Sequence, residues 1–253
     1  MRIGLIGAGN MAGALARGLG QPAVVSDVDR RRAEELAQAI GGTVADSNAA
    51  VADEADAIVL CHKPAQLAGV AAEVGERAKA VVSILGGTPV AAVEAAYPDR
   101  PVYRFMPSIP LEVGRGVVLY APGRRAADGP EEEVVELFRA AAGALVRLPE
   151  SQFDAATAVM SCGPAFFALV AEALADAGVA HGLAADVAAR MAVETMAGTA
   201  AVLDRRGDDT RELRRRVTSP GGMTARGLAA LERGGVRAAF EAAVAAVVKG
   251  EPA

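Results

Sequence analysis

The chain has 253 residues, a formal net charge of −5 and 52% hydrophobic against 4% aromatic residues, with no Trp. That acidic balance argues against a nucleic-acid or anionic-membrane surface, since both want a basic face, and the length fits two ordinary domains. The two cysteines, Cys61 and Cys162, stand outside any C-x-x-C or Cys/His ligand pattern, so no metal site is expected and a reducing cytoplasm is.

The chain opens on a strand, Arg2–Gly7, with no signal-peptide layout, and that strand stops on a glycine-rich turn. Gly7, Gly9 and Ala12 supply the G-x-G-x-x-G/A pattern of a dinucleotide site. Gly7 permits the tight turn, Gly9 lets backbone approach a pyrophosphate, and Ala12 keeps helix close to strand. The helix Met11–Leu19, beginning around Asn10, turns its free N–H groups and positive dipole end toward the phosphates. Further strands are expected at Ala23–Asp27, Thr43–Ala45, Ala57–Cys61, Ala80–Leu85, Val102–Met106, Val117–Tyr120 and Ala144–Leu148. Helices Arg30–Ile40, Ala65–Gly75 and Pro89–Ala96 lie between the early ones, and Gly123–Pro130 reads as a polar loop. This alternation implies an α/β doubly wound sheet of Rossmann type over residues 1–150.

Asp27 lies 27 − 7 = 20 residues after the first fingerprint glycine, the spacing at which an acid takes the ribose hydroxyls of NAD and repels a 2′-phosphate. Arg30, Arg31 and Arg32 pull toward NADPH or simply line a helix surface. His62, in CHKP at the end of a strand, stands where open α/β sheets bind ligands.

After Pro149 the pattern turns helical: Phe153–Gly178, Ala184–Asp204, Thr210–Val217, Thr224–Arg233 and Val236–Lys249, an all-α domain over residues 151–253. Glu172 and Asp176 interrupt its most apolar stretch, Phe153–Val179, so no membrane span is expected. A stripe of Ala155, Val159, Cys162, Phe166, Leu169, Ala173 and Ala177 is flanked by Phe167, Val170 and Leu174. Helices this apolar must be buried by something. An interlocked homodimer is the preferred reading and a self-contained bundle the alternative. Before the helix at Thr224, Pro220, Gly221 and Gly222 make a turn that leaves backbone N–H groups able to hold a carboxylate. Ser219 or Thr224 could equally serve as a plain helix cap.

Four segments resemble the pyrroline-5-carboxylate reductase family: IGAGNMAGALARGL at 6–19, HKPAQL at 62–67, RFMPSIPLEVGRGV at 104–117, and the pair DAATAVMSCGPAFFALVAEALADAGVAHGL at 154–183 and VTSPGGMTARGLAALERGGVRAAFEAAVAAVVKG at 217–250. The most specific part is SPGG-x-T. The resemblance implies a Rossmann domain followed by a helical dimerisation domain, and NAD(P)H-dependent reduction of 1-pyrroline-5-carboxylate to L-proline in the cytoplasm. Together with the fingerprint it implies a cofactor set of Gly7, Ala8, Gly9, Asn10, Met11, Ala12, Ser26, Asp27, Asn48, His62, Lys63, Pro64, Leu85, Gly86, Met106 and Pro107. It places the substrate on Ser219, Gly221, Gly222 and Met223, with Thr224 at the ring nitrogen. NADPH is slightly favoured over NADH on family grounds, and the serine-proline-diglycine corner is expected to come from the partner subunit. His62 replaces an apolar residue of the family and is read as a local variant, and His181 as a surface or helix-end residue.

Departures from the family pattern occur at Ser108, Ile109, Met160, Cys162 and Phe166, and at Arg214, Arg215 and Arg216 before the corner. They leave two alternatives: a paralogue reducing another cyclic imine or ketimine carboxylate, and a non-catalytic dinucleotide-binding relative.

Overall fold

The computed structural model describes residues 1–207 and 209–249. The chain divides into two compact units, Met1–Ser161 and Cys162–Ala253.

The first unit is built on an eight-stranded sheet in the order β3-β2-β1-β4-β5-β6-β7-β8. Its strands are β1 (Ile3–Ile6), β2 (Ala23–Ser26), β3 (Thr43–Val44), β4 (Ala57–Leu60), β5 (Val81–Ser83), β6 (Val102–Pro107), β7 (Val117–Pro122) and β8 (Ala144–Arg147). Each falls within a residue or two of its expected position. The order reverses between β2 and β4, on either side of β1, and there an open α/β sheet offers a ligand crevice. The pairing is parallel except at β6 and β7, which run antiparallel. Only the turn at Ile109–Val113 and a few loop residues separate those two strands, too short a connection for a parallel crossover.

Helices α1 (Asn10–Leu19), α2 (Arg30–Ile40), α3 (Asn48–Glu54), α4 (Leu67–Val74), α5 (Val90–Ala96) and α6 (Glu131–Ala141) cover the sheet. Ile3, Leu5, Tyr103 and Phe105 point into one core with α1, α2 and α6; Ile6, Ile58, Leu60 and Val81 point into another with α3 and α4. The Gly123–Pro130 stretch carries one helical turn, Ala126–Asp128, with Ala126 buried.

Just past the expected boundary at residue 150 lies α7 (Phe153–Met160). Phe153 and Met160 are buried with Met106, Leu119 and Ala121, so this helix belongs to the sheet. The long helix expected over Phe153–Gly178 is therefore two, broken at Ser161 and Cys162, with Pro164 seated in the first turn of α8 (Gly163–Ala180).

The second unit is all-α: α8, α9 (Ala185–Arg206), α10 (Thr210–Arg216), α11 (Met223–Arg233) and α12 (Val236–Lys249). Helices α8 and α9 pack on each other, and Gly178 brings the turn between them close, within 3.1 Å of Leu183 for an added Cβ. Only Gly163 and Ala171 of α8 are buried, whereas Phe167, Leu169, Val170 and Leu174 are exposed. The self-contained bundle therefore does not describe this unit, because its own helices leave the apolar stripe uncovered. The stretch Glu150–Ala180 is apolar enough in composition to cross a membrane, but it is divided into a helical turn and the two helices α7 and α8.

Candidate active site

Strand register sets the floor of the site. Ile6 of β1 is level with Ser26 of β2 and Leu60 of β4, so the residues that follow, Gly7, Asp27 and Cys61, emerge side by side. Gly7 has φ 106, and a Cβ there would lie 2.8 Å from the Cys61 carbonyl carbon and 2.9 Å from the His62 nitrogen. Only glycine satisfies both the turn and the approach of β1 to β4.

Gly9 caps α1 with no side-chain hydrogen bond, and no acidic residue occupies the first turn. A Cβ at Gly9 would meet nothing within 4 Å. The helix end thus presents unneutralised N–H groups to open space, the arrangement that receives a pyrophosphate. Ala12 is buried under the helix, as its place in the fingerprint requires.

Two cavities adjoin this turn. One of about 1010 Å³ is lined by Gly9, Asn10, His62, Lys63, Leu85, Gly86 and Ile109; another of about 220 Å³ by Gly7, Asp27, Val28, Arg32, Asn48 and Lys63. Residues that follow β2, β1, β4 and β5 therefore line the walls on both sides of the glycine turn. The residues present fit NAD(P)H.

The adenosine end is more tightly bonded than sequence suggested. Asp27 accepts from the Ala8 N–H at 2.6 Å and the Asp29 N–H at 2.8 Å, so its carboxylate braces the glycine turn as well as facing the smaller cavity. The Ser26 hydroxyl donates to Asn48 Oδ1 at 2.7 Å, and Asn48 in turn donates to Glu73. Arg30 is tied to Glu34 and Asp46, which leaves Arg32, beside Asp29, as the arginine of that run that lines both cavities.

At the other end, Pro64 opens a helical turn that follows Lys63, and the Lys63 N–H donates to Gln66. His62 Nδ1 lies 2.9 Å from the Lys63 carbonyl, which makes Nδ1 the donor and leaves Nε2 as a buried acceptor without a partner among the described residues. Burial pushes the His62 pKa down, opposed by the bond to Lys63, so the ring is neutral near pH 7. Met106 and Pro107 are buried in β6 and line neither cavity; Ile109, just beyond them, does. Ser108 is 2% exposed, and its hydroxyl both donates to the Val117 carbonyl and accepts from the Val117 N–H. It thereby locks the β6–β7 turn.

In the second unit, Gly221 takes φ 67 and the Gly222 N–H donates to the Ser219 carbonyl at 3.1 Å. Gly222, not Ser219 or Thr224, is the cap of α11, and no side chain closes that end. A Cβ on Gly222 would strike Ser219 Oγ at 2.3 Å, so glycine is what lets the serine fold over the turn. Arg226 Nη1 donates to the Gly221 carbonyl at 2.9 Å and fixes the corner from behind, a contact that sequence gave no sign of. Ser219, Gly221, Met223 and Thr224 are exposed. Among the described residues there is no cluster of three His, Cys, Asp or Glu side chains able to hold a metal.

Comparison with known proteins covers both units. The family described as pyrroline-5-carboxylate reductase dimerisation matches residues 150–251, and that described as NADP oxidoreductase, coenzyme F420-dependent, matches residues 2–87. Pyrroline-5-carboxylate reductase of Mycobacterium tuberculosis is 39% identical over 97% of this chain and 94% of its own length. The enzyme of that name from Methanosarcina acetivorans is 35% identical over 96% of this chain and 94% of its own. Among solved structures, Plasmodium falciparum pyrroline carboxylate reductase with NADP bound superposes with a TM-score of 0.85 at 26% identity, covering 99% of this chain and 96% of that one.

Proposed function

The chain belongs to the pyrroline-5-carboxylate reductase family, and on that premise we propose that it reduces 1-pyrroline-5-carboxylate to L-proline with NAD(P)H. The observation that carries this reading is that the likeness extends over 97% of the chain and takes in the late corner as well as the glycine cradle. A match to the cradle alone would suit any nicotinamide enzyme.

In this reading Gly7 to Ala12 hold the pyrophosphate and Ser26, Asp27 and Asn48 the adenosine. His62, Lys63, Pro64, Leu85 and Gly86 surround the nicotinamide end, with Met106 and Pro107 buried behind it in β6. NAD(P)H held by these residues would supply the hydride that the protonated imine accepts at C5 as its C=N electron pair moves to nitrogen, giving the ring amine. The corner at Ser219, Gly221, Gly222 and Met223 receives the substrate carboxylate at the start of α11, where the N–H groups that follow Gly222 have no side-chain cap. Thr224 positions the ring nitrogen by its hydroxyl. No strong base is required, because an imine near neutrality already carries part of its proton; rate comes from orientation and exclusion of water. The neutral His62 is thus not a proton carrier.

The exposed stripe of α8 and α9 is covered by a second copy of the chain, which brings its corner to the partner's cradle. The division between cofactor and dimerisation domains is read at residue 150, and the start of the dimerisation match there supports that reading. NADPH is the favoured donor, and two unpaired cysteines suit a reducing cytoplasm. One observation favours a second reading: Ser108 turns its hydroxyl into the β6–β7 turn while Ile109 lines the cavity, so the nicotinamide end is more apolar than the family pattern. That would suit another cyclic imine carboxylate. Following NAD(P)H absorbance with pyrroline-5-carboxylate and with its six-membered homologue separates the two. Turnover of the homologue alone selects the second reading, and turnover of neither by folded protein rejects both.

A further inference from the structure

Arg104 lies in β6 with its side chain only 5% exposed, a costly place for a charge without a counter-ion. Its Nη1 meets Glu150 Oε1, and its guanidinium lies over Phe153, 4.5 Å from the ring centre. The same Glu150 oxygen accepts the Val90 N–H at 2.6 Å. Val90 opens α5, at the end of the loop that starts with Ile84, Leu85 and Gly86 in the wall of the larger cavity. The near end of that loop is pinned by Ile84 N–H to the Leu60 carbonyl at 3.3 Å and Leu85 N–H to Ser83 Oγ at 3.3 Å. Its far end is pinned by Glu150. Arg104 itself pairs in register with Ser83 of β5 and stands two residues before Met106.

We propose that Arg104 and Glu150 are positioning residues for the nicotinamide: the buried ion pair fixes a carboxylate that tethers the β5–α5 loop at Val90, and so sets the wall against which the ring rests. Neither side chain lines the cavity. The inference rests on the cofactor reading above. It adds that the loop is held from behind by an ionic hub whose acid, Glu150, belongs to the turn leading into α7.

Removing either charge risks the fold, since a buried partner is left unpaired. Val90→Pro avoids this. It deletes the tethering N–H and leaves the ion pair whole, while the proline ring takes the place of the half-buried Val90 side chain against the core. Proline suits the first helical position, and Pro89 at φ −67, ψ 153 already has the conformation that a residue before proline adopts. The measurements are affinity for NADPH, affinity for ADP, which reaches the cradle but not the loop, the urea midpoint, and the single-turnover rate with pyrroline-5-carboxylate. The proposal expects NADPH affinity to fall about fivefold or more and hydride transfer to slow between about tenfold and a hundredfold. ADP affinity and urea midpoint stay at the wild-type values. Unchanged NADPH affinity and transfer rate in Val90→Pro would overturn it, as would an equal loss of ADP affinity, which marks general damage. A wild-type protein that binds neither NADPH nor ADP would instead reject the cofactor reading itself.

Discussion

Gly9→Ala separates binding from folding at the cradle. At φ −76 and ψ −177 Gly9 sits in backbone space open to any residue, and an added Cβ meets nothing within 4 Å. Alanine is a poorer helix cap than glycine, but it also restricts the unfolded chain by a comparable few tenths of a kcal/mol, so stability should change by less than about 0.5 kcal/mol. The methyl does, however, fill the space through which a pyrophosphate reaches the first N–H groups of α1. Losing one charge-assisted bond there costs about 1.5–3 kcal/mol, or roughly tenfold to over a hundredfold in affinity. Fluorescence titration with NADPH beside urea unfolding reads both quantities. By contrast Gly7→Ala should destabilise by about 2 kcal/mol or more, because φ 106 is strained for alanine and its Cβ would press on Cys61 backbone at 2.8 Å. A Gly9→Ala protein that folds normally and binds NADPH as tightly as wild type would refute the assignment of this turn to the phosphates.

Thr224→Ala should lower turnover with NADPH affinity nearly unchanged, and an unaffected kcat would remove the hydroxyl from the reaction. Asp27→Ser should shift preference toward NADPH while weakening both cofactors, since the carboxylate also holds the Ala8 and Asp29 N–H groups; kcat/KM ratios for the two donors test this. The folded-state pKa of His62 lies below its unfolded value, so the unfolded chain binds the proton more readily. Its contribution to stability is therefore present above the ordinary histidine range and lost as pH falls through it. Urea midpoints of wild type should drop over that interval more than those of His62→Leu, and parallel curves would deny the effect.

What sequence disclosed and what it hid follow from the range of the forces involved. The β1–turn–α1 unit and the Ser219–Thr224 corner are local: glycines at positive φ and a helix start need only their neighbours, and both stand as expected. Helix α6 is not among the expected elements, because the polar loop Gly123–Pro130 runs straight into the acidic Glu131, Glu132 and Glu133, although acids in a first turn are what a helix dipole favours. Helix α3 was hidden likewise, its Ser47 cap masked by the short polar run around it. The break at Ser161 and Cys162 is invisible to apolar periodicity, since the stripe continues across it; only the burial of Phe153 and Met160 against the sheet divides the helices. Contacts between residues far apart in sequence were out of reach altogether. Asp27 with Ala8 and Arg104 with Glu150 depend on strand register, and no spacing in the chain announces them.

The central claim is that a cradle from one chain and a corner from its partner form one active site. Mixing Gly9→Ala and Thr224→Ala protomers under subunit exchange tests it most directly, because a mixed dimer then carries one site with both defects and one with neither. The account predicts that activity rises above that of either variant alone, toward about a quarter of wild type for random pairing into dimers. Mixed dimers no more active than the two parents would contradict it.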